Sequence, residues 1–409
     1  MKRLKLILTL MFAVLLIALL LISISPGSNS NPPRYVLVTN QPSGPSFIQT
    51  FRGTEAVPFQ EGRFWMVYAS GVGPTNLAVH QYLYDLQQHK AVAEVTNGTP
   101  LFFNHDGSSL LCEGYAPPSL RDKLKSLANS ILARFNPGRT NLLGPSYGRQ
   151  AVWILDPHNN SAVKIGAYSY SVIYSRRWIP SPGFRYAYTE LAGVGSAQEL
   201  LVCDVEQRKL KPFRFTGDLL GWWDEHQIFT RDQSTNFVAY DIQTGLASNL
   251  FSLKAIAEFM AKSGLTNDPA GLAATSAWNG SNYDWYFSGD RRSGLNTNST
   301  FLLKAEPSGP TLKLLLHDFR FQWLGHFDGS GTSYLYPGER GAPGTGGDGS
   351  LYLKDLVGNV THTLLPPAGG NYILARQSGD TLIYSSNRVL WRVDLNTTNA
   401  ELLFPQSAK

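Results

Sequence analysis

Apolar residues along this chain fall in short runs of roughly the four to eight residues of a strand. The gaps between runs are filled by Gly, Pro, Asn, Asp and Ser, the residues of tight turns. The stretch Phe237-Val-Ala-Tyr-Asp-Ile-Gln-Thr-Gly-Leu-Ala-Ser-Asn-Leu-Phe251 shows the unit: an apolar run ending at Asp241, a polar turn, and a returning apolar run. The outline recurs as Tyr82–Val95, Trp153–Ile165, Leu200–Phe213, Phe301–Leu316, Leu351–Leu365 and Leu390–Phe404, making seven copies. Upstream of each copy lies a turn followed by a strand with aromatic or apolar residues: Glu61–Tyr68, His105–Cys112, Ser181–Tyr188, Asp224–Thr230, Asn282–Phe287, Asp328–Tyr336 and Ser378–Tyr384.

With an innermost strand before each turn, every repeat holds four antiparallel strands, and a period of about 50 residues is that of a propeller blade. The predicted fold is all-β: a seven-bladed β-propeller of four-stranded antiparallel blades with two short helical insertions, behind one N-terminal transmembrane helix. Tyr35–Thr39 reads as one more strand. Its position opposite Leu402–Phe404 in a ring predicts that the N-terminus completes the last blade, which removes exposed sheet edges.

The first 25 residues differ from the rest. Lys2, Arg3 and Lys5 precede a run from Leu6 to Ile24 that only Thr9 and Ser23 interrupt. Spanning a bilayer takes about 20 apolar residues, whereas the apolar centre of a cleaved signal has about 7–15. Residues 1–25 are therefore expected to be a signal-anchor, 26–34 a linker and 35–409 the propeller. Cleavage after Ser25 is the alternative, and it would leave Pro26 as the first mature residue. Basic residues ahead of the span place the bulk of the chain on the periplasmic or extracellular side by the positive-inside rule. Of the formal charge of +5, three positive charges belong to Lys2, Arg3 and Lys5, leaving +2 for the remainder. That is too little to suggest a nucleic-acid partner.

Alternating strand direction puts the first-to-second and third-to-fourth turns on one face and all other connections on the opposite face. The first set is short, as in Asp156–Asn160, Ile242–Gly245 and Leu395–Thr398, and the second set is expected to hold every long insertion. Two insertions read as helices. One follows a capping-box pattern at Ser119–Asp122 and carries Leu120, Leu124, Leu127 and Ile131 at helical spacing; the other opens at Ser252, closes at Gly264 and carries Leu253, Ile256, Ala257 and Met260. Each is expected to cover the end of its blade with its apolar stripe, or else to form a lid.

The turn-and-strand repeats resemble those of TolB-type propellers, in which a Ser-Pro-Asp-Gly turn precedes an apolar strand and the next strand ends in Asp. Asp106-Gly107 and Asp328-Gly329 keep the Asp-Gly pair, and Ser181-Pro182-Gly183 keeps part of the motif. The resemblance covers about Phe47 to Phe404 and implies architecture, with no functional residue carried over.

Catalytic patterns are weak. Gly144-Pro-Ser-Tyr-Gly148 matches Gly-x-Ser-x-Gly, but a strand follows it where a nucleophile elbow needs a helix. Gly344, Gly346 and Gly349 spell a dinucleotide pattern and likewise lead into a strand. His317-Asp318 and His326-x-Asp328 lack zinc spacing. No metal or cofactor is expected. Cys112 and Cys203 fall on strands of neighbouring blades, as two buried thiols or as a pair if their Cα atoms come within about 7 Å.

The loop-rich face collects charge at strand ends, including Glu113, Glu190, Asp232 and Arg388. The candidate ligand-binding residues are Arg139, Tyr147, Arg149, Arg231, Asp290, Arg291, Arg292, Glu339 and Arg340. Guanidinium forks in such a cluster read carboxylates or sugar acids bidentately. The expected function is a membrane-tethered extracytoplasmic binding or scaffold module, whose partner is a cell-envelope protein or a polar or glycan ligand. The alternative is a cell-envelope hydrolase or lyase acting on a glycan or peptide with Arg and Glu residues in the funnel.

Overall fold

The computed structural model describes residues 31–39, 46–47, 64–70, 79–85, 88, 90–104, 107–116, 120–135, 149–169, 178–191, 197–232, 236–265, 271–278, 282–289, 301–306, 309–317, 326–327, 332–337, 351–365, 372–378, 381–386, 389–394 and 399–404. Their strands fall into seven antiparallel sheets. The second sheet, Thr99–Phe103, Leu110–Ala116, Arg149–Asp156 and Ser161–Ser169, shows the rule, with its strands side by side in chain order. The third (Ile179–Pro180 to Lys209–Thr216), fourth (Asp218–Trp222 to Ala247–Ser252), fifth (Leu272–Trp278 to Gly309–Leu316), sixth (His326–Phe327 to Val360–Leu365) and seventh (Tyr372–Ser378 to Ala400–Phe404) repeat it. Every one of the seven hairpins expected from the sequence is present, including Asn236–Asp241 against Ala247–Ser252 with Phe237 opposite Phe251.

Local chemistry explains why these hairpins form. The Asp ending the third strand turns its carboxylate back onto the amides of its own turn. Asp241 Oδ1 accepts from Gln243 N at 2.9 Å, Thr244 N at 2.7 Å and the Thr244 hydroxyl at 3.0 Å. Asp156 accepts from His158 N, Asp204 from Gln207 N and Asp355 from Val357 N, each at 2.8 Å. Three of the turns then close through a residue in the left-handed region just before the fourth strand: Asn160, Arg208 and Asn359, with φ of 54°, 54° and 55°. Asn tolerates that region better than most side chains. Arg208 occupies it without such an advantage.

The first sheet departs from expectation. Arg34–Leu37 is a fifth strand on its outer edge, antiparallel to Lys90–Thr96 with Tyr35 opposite Val95. The N-terminus therefore does not complete the last sheet, all four of whose strands come from Tyr372–Phe404. Two contacts with the second sheet and its approach hold the strand there: Tyr35 N donates to Asn160 Oδ1 at 2.8 Å and Asn97 Nδ2 to the Pro32 carbonyl at 3.4 Å. Charges of the last sheet are felt at the first. Burial, with the nearby Glu401 carboxylate adding to it and Arg392 opposing it, pushes the Tyr84 hydroxyl of the first sheet up to about 12.

The core lies between sheet faces. Leu83, Val95, Leu110, Cys112 and Trp153 join the first two sheets; Phe102, Tyr186, Tyr188, Phe213 and Trp222 join the second, third and fourth; Phe229, Phe237, Trp285 and Phe287 join the fourth and fifth. Indole groups add directional links, since Trp222 Nε1 donates to the Ile179 carbonyl and Trp285 Nε1 to the Trp222 carbonyl, both at 3.0 Å. The Trp285 ring packs against Gly221, where a Cβ would stand 3.1 Å from it. Cys112 and Cys203 are buried free thiols in different clusters, and burial pushes both well above the ordinary thiol value.

Helix α1 (Leu120–Phe135) connects the second and third strands of the second sheet, and α2 (Leu253–Lys262) connects the fourth sheet to the fifth. Strand alternation puts both on one face. Ser252 caps α2 by accepting from Ala255 N at 3.0 Å, and Ile256 and Met260 are buried beside Trp223, Phe251 and Leu265, so α2 covers the end of its sheet. In α1 the expected stripe is incomplete: Leu127 is exposed, while Asn129 is buried. The capping pattern at Ser119 lies outside the described residues. Among the described residues no helix is long and apolar enough to cross a membrane, and residues 1–30 lie outside them.

Candidate functional site

The two faces of the sheet array differ as strand direction requires. One carries the Asp-closed hairpin turns. The other carries α1, α2 and the connections from Gly289 to Leu302 and from Pro337 to Leu351. One connection breaks the division: the 16 residues between Ser46–Phe47 and Phe64–Ser70 join a first strand to a second, and so belong to the short-turn face. The expectation that every long insertion lies on one side is corrected accordingly.

Of the candidate ligand-binding residues, Arg149 and Arg231 are described; Arg139, Tyr147, Asp290, Arg291, Arg292, Glu339 and Arg340 lie outside the described residues. So do the Gly144–Gly148 and Gly344–Gly349 patterns. Arg231 ends the second strand of the fourth sheet, at the loop-rich rim. Its Nη1 donates to the Leu272 carbonyl of the fifth sheet at 2.9 Å, and its Nη2 stands 3.5 Å from Asp218 Oδ2 on the innermost strand. The guanidinium thus staples two sheets while remaining partly exposed. Gly217 shapes this corner: its φ is +96°, and a Cβ would stand 2.4 Å from the Arg231 carbonyl oxygen. Arg149 begins the third strand of the second sheet, and its Nη2 reaches the Ala167 carbonyl on the fourth strand at 3.4 Å. The two arginines sit on sheets separated by the third, each engaged with backbone near its own position.

The sixth sheet supplies a feature that the sequence reading passed over. Tyr336 and Tyr352 are cross-strand partners, stacked with centroids 5.5 Å apart. Tyr334 stacks on Tyr336 at 5.7 Å, and Phe327 packs between Tyr334 at 4.8 Å and Tyr286 of the fifth sheet at 4.0 Å. The ladder runs from a sheet interface to half-buried Tyr336 and Tyr352, where the second strand hands over to the connection containing Glu339 and Arg340. The signal was visible as Tyr-Leu-Tyr at 334–336 and Leu-Tyr-Leu at 351–353, but alternate tyrosines read equally as ordinary strand pattern.

On the short-turn face, Glu225 is the organising side chain. It lies between the first and second strands of the fourth sheet and reaches the corresponding turn of the third. Its Oε1 accepts from the Ser181 hydroxyl at 2.6 Å and from Arg185 N at 3.1 Å, and its Oε2 from Gly183 N. Ser181 Oγ in turn accepts from Tyr186 N at 3.0 Å. The remnant Ser-Pro-Gly motif is thus a carboxylate-filled turn.

No protein-family model matches the chain, and no curated protein matches it in sequence. Solved structures do match in shape. An uncharacterised protein from Listeria monocytogenes aligns with a TM-score of 0.53 at 9% identity, covering 91% of this chain and 99% of that one. Oligogalacturonate lyase from Vibrio parahaemolyticus aligns at 0.50 and 11%, covering 87% and 94%. TolB from Acinetobacter baumannii aligns at 0.35 and 13%, covering 79% and 75%. At these identities the likeness is one of fold. The architecture is all-β and propeller-like, built of antiparallel, mostly four-stranded sheets.

Proposed function

We propose that this protein is a membrane-tethered, seven-bladed propeller that works as a binding or scaffold module on the periplasmic or extracellular side. Its loop-rich face takes a cell-envelope protein or a polar or glycan ligand. The observation that carries this reading is the unequal use of side chains on the two faces. On the short-turn face the recurrent carboxylates of Asp156, Asp204, Asp241 and Asp355 are turned onto their own backbone, and Glu225 fills a neighbouring turn. On the loop-rich face stand both helices, the Arg231 corner and the half-buried Tyr336 and Tyr352. Asp290, Arg291, Arg292, Glu339 and Arg340, which lie outside the described residues, are assigned to this face by the strand order on either side of them. Tyrosine and arginine are the residues that carry most binding energy at interfaces.

The test is copurification of envelope partners with the full-length chain. Arg291→Ala with Arg292→Ala should weaken capture by more than about 1.5 kcal/mol, the low end for a hydrogen bond to a charged group, without moving the melting temperature. Asp241→Asn should leave capture intact. Capture that survives the arginine change and fails with Asp241→Asn overturns the assignment of the face. Turnover of a glycan or peptide panel by the purified protein, lost with the same arginines, supports instead the reading as an envelope hydrolase or lyase.

A further inference from the structure

We propose that the outer edge of the first sheet is the surface this protein lays against the lipid bilayer. The inference rests on the reading of residues 1–25 as an uncleaved anchor and adds to it the orientation of the fold. The chain is pinned from the last residues of the linker onward. Pro32 accepts from Asn97 Nδ2, Pro33 packs so closely on Gly98 that a Cβ there would stand 2.9 Å from its ring, and Tyr35 N is held by Asn160 Oδ1. Only residues 25–31 separate Ile24, the end of the apolar run, from this pinned point. Fully extended, seven residues reach about 24 Å, and a Gly/Ser coil of that length averages about 15 Å. The strand Arg34–Leu37 therefore stays within that distance of the membrane surface, whatever the rest of the ring does.

The chemistry of the edge fits such a neighbour. Leu37 is 72% exposed and Val36 43%, although both are large apolar residues on a strand. Val163, on the strand that follows Asn160, is also exposed. Exposed Arg34, Lys90 and Lys164 lie on the same strands or on their immediate partners, with Glu94, partly buried opposite Val36, as the acidic side chain between them. Apolar side chains flanked by Lys and Arg suit the boundary between acyl chains and anionic headgroups. Leu246 and Val357 are equally exposed, at 70% and 82%, but occupy hairpin tips of the fourth and sixth sheets, remote in the chain from the tether. A ring resting on the outer edge of one sheet keeps both axial faces open to the aqueous side, which leaves the loop-rich face free for a partner.

Because Cys112 and Cys203 are buried, a single introduced cysteine can be labelled selectively. Full-length Leu37→Cys, Val36→Cys, Leu246→Cys and Val357→Cys, each carrying a fluorophore, are reconstituted into phosphatidylcholine–phosphatidylglycerol vesicles containing a headgroup nitroxide lipid. Labels at 37 and 36 should be quenched several-fold more strongly than labels at 246 and 357. Equal quenching at all four positions, or stronger quenching at 246 or 357, overturns the inference while the tether stands. Failure of the full-length chain to float with the vesicles overturns the tether itself, and the orientation with it.

Discussion

The Ser181 hydroxyl donates to Glu225 Oε1 at 2.6 Å across 44 residues of sequence, joining a turn of the third sheet to a turn of the fourth. The same carboxylate holds the amides of Gly183 and Arg185, so one side chain satisfies donors that no strand partner reaches. Glu225→Ala should cost about 2 kcal/mol, the range of hydrogen bonds to a charged group. Ser181→Ala should cost about half as much, because the backbone amides keep their acceptor. Chemical denaturation of both variants and of the double variant measures the coupling; purely additive losses would contradict the shared network.

Acid should loosen the hairpins. Burial pushes the Asp241 carboxyl up, but hydrogen bonds from Thr244 and Gln243 outweigh it and hold the group below its ordinary value. Amides of Gly358 and Val357 do the same for Asp355. A carboxyl depressed in the folded state contributes stability that is fully present above its unfolded value of about 3.9. That contribution is lost as the pH falls through the lower folded value. Asp241→Asn with Asp355→Asn should therefore flatten the decline of stability below about pH 4; an unchanged slope in denaturation followed against pH would refute the assignment.

Inside the fifth sheet Lys304 Nζ lies 2.8 Å from Asp284 Oδ2, with side chains only 19% and 5% exposed. Removing one partner strands a charge away from water, so Lys304→Met should destabilise by about 3–5 kcal/mol. Lys304→Met combined with Asp284→Leu should recover much of that loss, since an apolar pair needs no desolvated charge. Thermal melts of the two variants decide it: a double variant no better than the single one would show that the ion pair is not the source of the cost.

Arg208 holds a φ of 54° that Asn160 and Asn359 adopt in the equivalent turns. A side chain other than Gly, Asn or Asp pays about 1 kcal/mol or more for that conformation. Arg208→Asn should raise the stability by several tenths of a kcal/mol up to about 1 kcal/mol, read as an increase in the denaturation midpoint at constant slope. A fall would mean that Arg208 makes a contact worth more than its backbone strain.

What the sequence by itself determined are the local units. An apolar run, an Asp, a short polar turn and a returning run carry their own register, because the Asp carboxylate and the left-handed residue close the turn from within five positions. The seven hairpins, the Ser252 cap of α2 and the buried stripe of Ile256 and Met260 were legible for that reason. Tertiary structure alone decided which open edge received Arg34–Leu37. Four residues of strand carry backbone donors that suit any edge, and the choice fell to the first sheet where Asn160 and Asn97 meet the chain. It likewise decided that Arg231 staples Leu272 and that Glu225 fills the turn around Ser181. An isolated arginine or glutamate in a polar turn has no periodicity to betray it, and its partner is set by which backbone groups the packed sheets leave unpaired nearby.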